Sequence, residues 1–164
     1  MLPISQLDQF LEDNSDIEMF EILLHDLNGT QRGKWLPKDK IHKVFNGGFK
    51  MPLSSCSFDC WGRDQEELIK ATGDADGICV PHAETLAMVP WAEKATAQMI
   101  ISMGNESGDG PYGGDCRSVL KSVVDRFGQL GLTPVVASEM EFHLLTLERD
   151  KFGIPQHSQT AIDG

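Results

Sequence analysis

The sequence is short of positive charge. Lys and Arg number 14 against 25 Asp and Glu, a formal net charge of −11. A surface of that sign repels phosphate, so nucleic acids and anionic membranes are excluded as partners. Cysteine is also scarce. Cys56 and Cys60, the nearest two, have three residues between them rather than the two of a zinc ribbon, and Cys79 and Cys116 form no second close pair. Reduced, buried or half-buried thiols are expected instead. No stretch approaches the ~20 consecutive apolar residues of a membrane span. Residues 2–16 carry four acids and no apolar core, so no secretory leader is expected and the cytoplasm is the expected compartment. No Lys-Ser/Thr follows the glycines of 104–114, which removes a phosphate-binding loop. No Ser/His/Asp or Cys/His set stands at an informative spacing, and there is no internal repeat.

What remains is globular. The chain has 164 residues, 40% hydrophobic and 24% charged, enough for one domain or a small domain and part of a second. Ile4, Leu7, Phe10 and Leu11 recur at helical spacing over 4–13. A strand is predicted over 18–27. Asn28-Gly29 then suggests a type I′ turn into a return strand over 30–36, halted by Pro37. A short helix over 38–45 ends at Gly47-Gly48. Further strands are predicted at 54–60, 77–81, 85–90 and 96–103, with a polar loop and a helical turn across 62–76. In 96–103, Ala97, Met99 and Ile101 share one face. Five glycines and a proline in 104–114 mark a domain boundary.

Past that boundary Asp115 is a good helix N-cap. Val119, Leu120, Val123, Val124, Phe127 and Leu130 form one apolar stripe, and Gly131 ends the helix. A strand is predicted from Val135 to about Thr146. These elements give an α+β class.

The chemistry lies on that last strand. Alternation puts Glu139, Glu141 and His143 on one face and Met140, Phe142 and Leu144 on the other. Two carboxylates that close repel unless a cation joins them, and Mg²⁺ or Mn²⁺ suits hard oxygen donors. The other reading of the same pattern is a half-exposed strand with both glutamates solvated. His143 is open to the same two readings.

The order of motifs resembles the glutamine synthetase family. Asp115-Cys116-Arg117-Ser118-Val119-Leu120 is similar to the family's Asp-Pro-Arg-x-x-Leu, and Glu139-Met140-Glu141-Phe142 to its Glu-x-Glu-Phe. Asp26-Leu27-Asn28-Gly29 with Arg32-Gly33-Lys34 resembles the first hairpin of the γ-glutamylpolyamine (γ-glutamylputrescine) synthetase branch. So do Val89-Pro90-Trp91-Ala92 and Thr96-Ala97-Gln98. The resemblance covers about residues 16–148.

It implies a β-grasp domain over 1–107 and the incomplete start of a catalytic domain over 108–164. It implies that Glu139 and Glu141 are metal ligands for Mg²⁺ or Mn²⁺. It also implies an ATP-dependent ligase that joins an amine (ammonia or polyamine-like) to the γ-carboxylate of glutamate through an acyl phosphate. The full-length parent is expected to be a homo-oligomer with small-molecule partners only. Ammonia-using members carry Phe-Asp-Gly-Ser-Ser where this chain has Met51-Pro52-Leu53-Ser54-Ser55, with Asp59 out of register. That difference favours a larger amine. The family's later metal-binding and ATP-contacting segments have no counterpart before Gly164, so the chain alone is expected to be an inactive fragment with exposed apolar faces on 115–131 and 134–146. The alternative is a non-catalytic assembly or binding module of the same descent.

Overall fold

The computed structural model describes residues 3–158. Contacts divide the chain into two units, Met1–Leu132 and Thr133–Gly164.

The first unit is built on a mixed sheet. Helix α1 (Pro3–Asp13) precedes β1 (Met19–His25) and β2 (Gln31–Pro37). A 3₁₀ turn at Lys38–Lys40 leads to α2 (His42–Phe45), and β3 (Lys50–Pro52) follows. Then come α3 (Glu66–Thr72), β4 (Asp76–Pro81), the two-residue β5 (Ala87–Met88), β6 (Thr96–Met103) and α4 (Cys116–Gln129). The strand order is β2-β1-β6-β4-β3, with β5 added to β6. β1 and β6 run parallel at the centre, in register Phe20 to Ala97 and Ile22 to Met99. The other pairs are antiparallel.

Side-chain alternation sets the core. Phe20, Ile22 and Leu24 of β1 and Ala97, Met99 and Ile101 of β6 are fully buried. Leu7 of α1 and Val44 of α2 close over them together with Ile41. Each such side chain contributes about 1.5–3 kcal/mol by leaving water. Asn14 follows α1, its side-chain amide donating to the Phe10 carbonyl at 2.9 Å.

Three local expectations are corrected. The β1–β2 connection is not a type I′ turn, which needs positive φ at two residues. Gly29 alone among residues 27–29 has positive φ, +73°. The Gly29 amide bonds to the Asp26 carbonyl at 3.0 Å, and the Asp26 amide to the Thr30 carbonyl at 3.1 Å. This is a type I turn closed by a glycine bulge. Residues 54–60 are not a strand. Pro52 is followed by a 3₁₀ turn at Leu53–Cys56 whose four residues are all buried, so no alternation exists. The Ser54 hydroxyl instead donates to Asp74 at 2.7 Å. The strand predicted over 85–90 shrinks to β5, which pairs with β6 through Ala87 and Met88.

α4 runs as predicted. The Asp115 carboxylate accepts from the Ser118 amide at 2.9 Å and from its hydroxyl at 2.6 Å. The Cys116 thiol donates to the His25 carbonyl at 3.4 Å, tying the helix start to the end of β1. Its apolar stripe is open to solvent: Leu120 is 64% exposed, and no residue of the helix is buried.

The second unit is a hairpin, β7 (Leu145–Arg149) and β8 (Pro155–His157). Its loop repeats the first one. One oxygen of Asp150 accepts from the Phe152 and Ile154 amides at 2.8 and 2.9 Å, and Gly153 sits at φ +80°. Among the described residues no helix is long and apolar enough to cross a membrane.

Candidate functional site

The strand predicted from Val135 to Thr146 does not form. Residues 132–144 carry neither helix nor ladder, and β7 begins only at Leu145. A strand is held by cross-strand hydrogen bonds, and among the described residues this segment receives one only at its end, where the Ser158 amide donates to the Leu144 carbonyl at 3.0 Å. Its apolar alternates are therefore in water: Val135 is 92% exposed, Met140 84% and Phe142 74%. The exposure expected of 115–131 and 134–146 is what the two segments show.

Glu139, Glu141 and His143 are all exposed. Neither glutamate has an ion pair or hydrogen bond among the described residues. The His143 ring lies 6.0 Å from the His157 ring, tilted by 59°. Among the described residues no group of three or more His, Cys, Asp or Glu is placed to hold a metal ion. Two free carboxylates are hard-oxygen donors of the right kind for Mg²⁺ or Mn²⁺, but they are fewer than the six ligands Mg²⁺ demands.

The first unit holds a second carboxylate centre. Asp26 is 1% exposed at the end of β1. One oxygen accepts from the Asn28 and Thr30 amides, each at 2.9 Å, and the other from Arg32 Nε at 2.9 Å. Burial pushes this carboxyl up, but the Thr30 amide, the Arg32 guanidinium and the Asn28 amide together hold it below the ordinary value of 3.8. The guanidinium also stacks 4.7 Å above the Phe58 ring. Asn28 reaches the Phe58 carbonyl at 2.8 Å, so the hairpin tip and the 53–59 segment are locked together. Asp59 closes its own turn by accepting from the Trp61 and Arg63 amides at 2.8 Å each, and Leu53 is buried. The bonds of this centre hold the hairpin tip and the 53–63 segment in place.

Sequence spacing did not bring out a chain of hydrogen bonds at His82. Its ring contacts the Ser102 hydroxyl at 2.7 Å and Glu84 at 3.3 Å. The Thr85 hydroxyl donates to the His82 carbonyl at 2.7 Å and accepts from the Ile100 amide at 2.8 Å. The set fastens the β4–β5 connection to β6, and only the fold brings residues 82 and 102 together. The thiols divide by depth. Cys56 and Cys79 are buried, Cys116 is half-buried and Cys60 is exposed, which corrects the expectation for Cys60. Burial, and for Cys56 the nearby Asp115 carboxylate, pushes the first two up to about 12.

No family model matches the chain. A curated relative does. γ-Glutamylputrescine synthetase PuuA of Escherichia coli (strain K12) is 34% identical over 153 residues, 92% of this chain and 32% of the relative. The chain belongs to the glutamine synthetase family. Within that family it is also similar to the glutamate–methylamine ligase of Methyloversatilis universalis, at 28% identity over 86% of this chain and 29% of the relative. The glutamine synthetase of Pyrococcus abyssi is 26% identical over 76% of this chain and 25% of its own length. Two solved structures of GmaS, one with ADP and one without ligand, match with TM-scores of 0.59 and 0.58, at 26% and 25% identity. Each match covers 76% of this chain and 26% of the solved one. The chain thus spans about a third or less of the length of these relatives.

Proposed function

We propose that this chain is the N-terminal part of an ATP-dependent ligase that joins an amine to the γ-carboxylate of glutamate. The likeness to a γ-glutamylputrescine synthetase across nearly the whole chain carries this reading. In the proposed reaction the γ-phosphate of ATP passes to the glutamate side chain, and the amine displaces phosphate from the resulting acyl phosphate to leave an amide. The amine is ammonia or a polyamine-like amine, and the Met51-Pro52-Leu53 departure favours the larger one.

Glu139 and Glu141 are assigned as two ligands to Mg²⁺ or Mn²⁺. Their free, exposed carboxylates on one short segment support the assignment. A bound ion of this kind supplies charge neutralisation at phosphate oxygens. The remaining ligands belong to the rest of the longer protein, and this chain alone is inactive. Residues 1–107 are assigned as a β-grasp domain, supported by a mixed sheet whose first strand lies parallel to β6. Residues 108–164 are assigned as the opening of the catalytic domain. Its missing partners are what would cover the α4 stripe and the 134–146 segment. The same reading makes the longer protein a cytoplasmic homo-oligomer.

The test is phosphate release from ATP by the longer protein. Release is expected only with both glutamate and an amine present. Turnover at the full rate without amine would remove the ligase reading, and turnover by this chain alone would remove the fragment reading.

A further inference from the structure

The second unit brings together two histidines that are far apart in sequence. Leu145 faces His157 in the β7–β8 ladder. The Ser158 amide donates to the Leu144 carbonyl at 3.0 Å, so the two strands stay bonded at the open end of the hairpin. Continued one step before β7, alternation puts residue 143 on the face of residue 145, which makes His143 the diagonal neighbour of His157. The ring centres are 6.0 Å apart and the planes are tilted by 59°, so the rings are not stacked on one another. Both residues are exposed, and neither ring has a hydrogen bond or ion pair among the described residues. The Lys and Arg of the hairpin are engaged at its other end. Arg149 Nη1 donates to the Gly153 carbonyl at 3.0 Å, and Lys151 lies 5.0 Å from the Phe152 ring centre.

The spacing of the two rings selects a ligand. A Zn–N bond of about 2.0–2.1 Å puts a ring centre about 3.2 Å from the ion, so two imidazoles on one tetrahedral ion have centres about 5.2 Å apart, and at most about 6.4 Å on any ion with such bonds. The observed 6.0 Å lies inside that limit, and a small rotation of either exposed side chain brings one nitrogen from each ring onto a shared ion. Imidazole is a donor for borderline ions such as Zn²⁺ and Ni²⁺, whereas Mg²⁺ prefers oxygen.

We propose that His143 and His157 form a two-histidine clamp for a borderline divalent transition-metal ion such as Zn²⁺, which bridges the strands at the open end of the hairpin. Water fills the other coordination positions, because no third His, Cys, Asp or Glu is placed to complete a metal site among the described residues. The clamp uses nitrogen donors and neither Glu139 nor Glu141, so it and the Mg²⁺ or Mn²⁺ assignment fail separately.

The test is titration of this chain with Zn²⁺, followed by ¹H–¹⁵N NMR of its five imidazoles. The signals of His143 and His157 should shift together and saturate at one ion per chain, while those of His25, His42 and His82 stay in place. Mg²⁺ at the same concentration should move neither. His143→Gln and His157→Gln change exposed residues, and each should weaken Zn²⁺ binding at least about tenfold in calorimetry with unchanged circular dichroism. Cys60→Ser, which removes the exposed thiol, and Glu139→Gln/Glu141→Gln should both bind Zn²⁺ as the parent does. Each of four results would overturn the proposal: no Zn²⁺ shift at either histidine, equal shifts of all five imidazoles, undiminished binding by a folded histidine variant, or loss of binding in Cys60→Ser or in the double glutamine form.

Discussion

Replacing Asp26 by Ala probes the tightest polar centre of the first unit. The side chain is fully buried, and its removal leaves three donors without their acceptor: the Asn28 and Thr30 amides and Arg32 Nε. A hydrogen bond to a charged group is worth about 1.5–3 kcal/mol net, which sets an upper range of ~4.5–9 kcal/mol if all three were lost outright. Residues 28 and 30 are exposed and the Arg32 side chain is 30% exposed, so water takes over much of that bonding. A loss of about 2–4 kcal/mol is therefore expected. Asp26→Asn keeps an acceptor for the two amides but turns an amide donor toward Arg32, so a loss of about 1–2 kcal/mol is expected. Urea unfolding followed by tryptophan emission measures both, since Trp35, Trp61 and Trp91 all lie in the first unit. The pH dependence has a fixed sign. The folded carboxyl lies below its ordinary 3.8, so its contribution is complete above that value and disappears as pH falls through the folded value. Asp26→Asn should remove that acid-limb dependence. A loss under about 0.5 kcal/mol for Asp26→Ala would show that the hairpin tip does not depend on this carboxylate, and the reasoning would fail.

Other outcomes follow from the same geometry. Gly33 has φ +142°, and a Cβ there would lie 1.8 Å from the Ile22 carbonyl oxygen, so Gly33→Ala should cost about 1–3 kcal/mol in strain plus a similar amount in displaced β1 backbone; a thermal unfolding midpoint equal to the parent's would contradict it. Asp115→Ala removes the α4 cap and should cost about 0.5–2 kcal/mol with reduced helicity by circular dichroism, whereas Asp115→Asn keeps the acceptor and should stay close to the parent. Under native conditions at pH 8 an aromatic disulfide reagent should titrate Cys60 first. Cys56 and Cys79, buried and raised to about 12, should react only after unfolding; early reaction of either would contradict their burial.

The core was legible because its signal is periodic. β6 lies where its alternation puts it, and the α4 stripe, cap and terminal Gly131 read directly from residue types. The first hairpin was legible as a turn but not as a turn type. Asn28-Gly29 marks the tip, yet the Asp26 side chain three residues before the glycine chooses the conformation by binding two amides. The same Asp-x-x-Gly pattern at 150–153 makes the second hairpin, which the hydrophilic composition of that stretch concealed. Residues 54–60 form no strand because Pro52 leads into a fully buried turn, which residue types alone do not display. The Glu139–Glu141 segment shows the limit of periodicity. Alternation describes which residues would share a face, but a ladder also needs a partner strand, and residues 132–144 have none among the described elements. The His82–Ser102 contact is a product of topology, invisible along the chain.

The metal assignment is the chemical centre of the ligase reading, and Mn²⁺ binding followed by electron paramagnetic resonance tests it directly. With 25 acids a nonspecific Mn²⁺ background is expected of both proteins, so the comparison is between this chain and its Glu139→Gln/Glu141→Gln form at equal ionic strength. One weak site is expected in the first protein and absent from the second. Identical binding curves for the two would mean that these glutamates hold no metal.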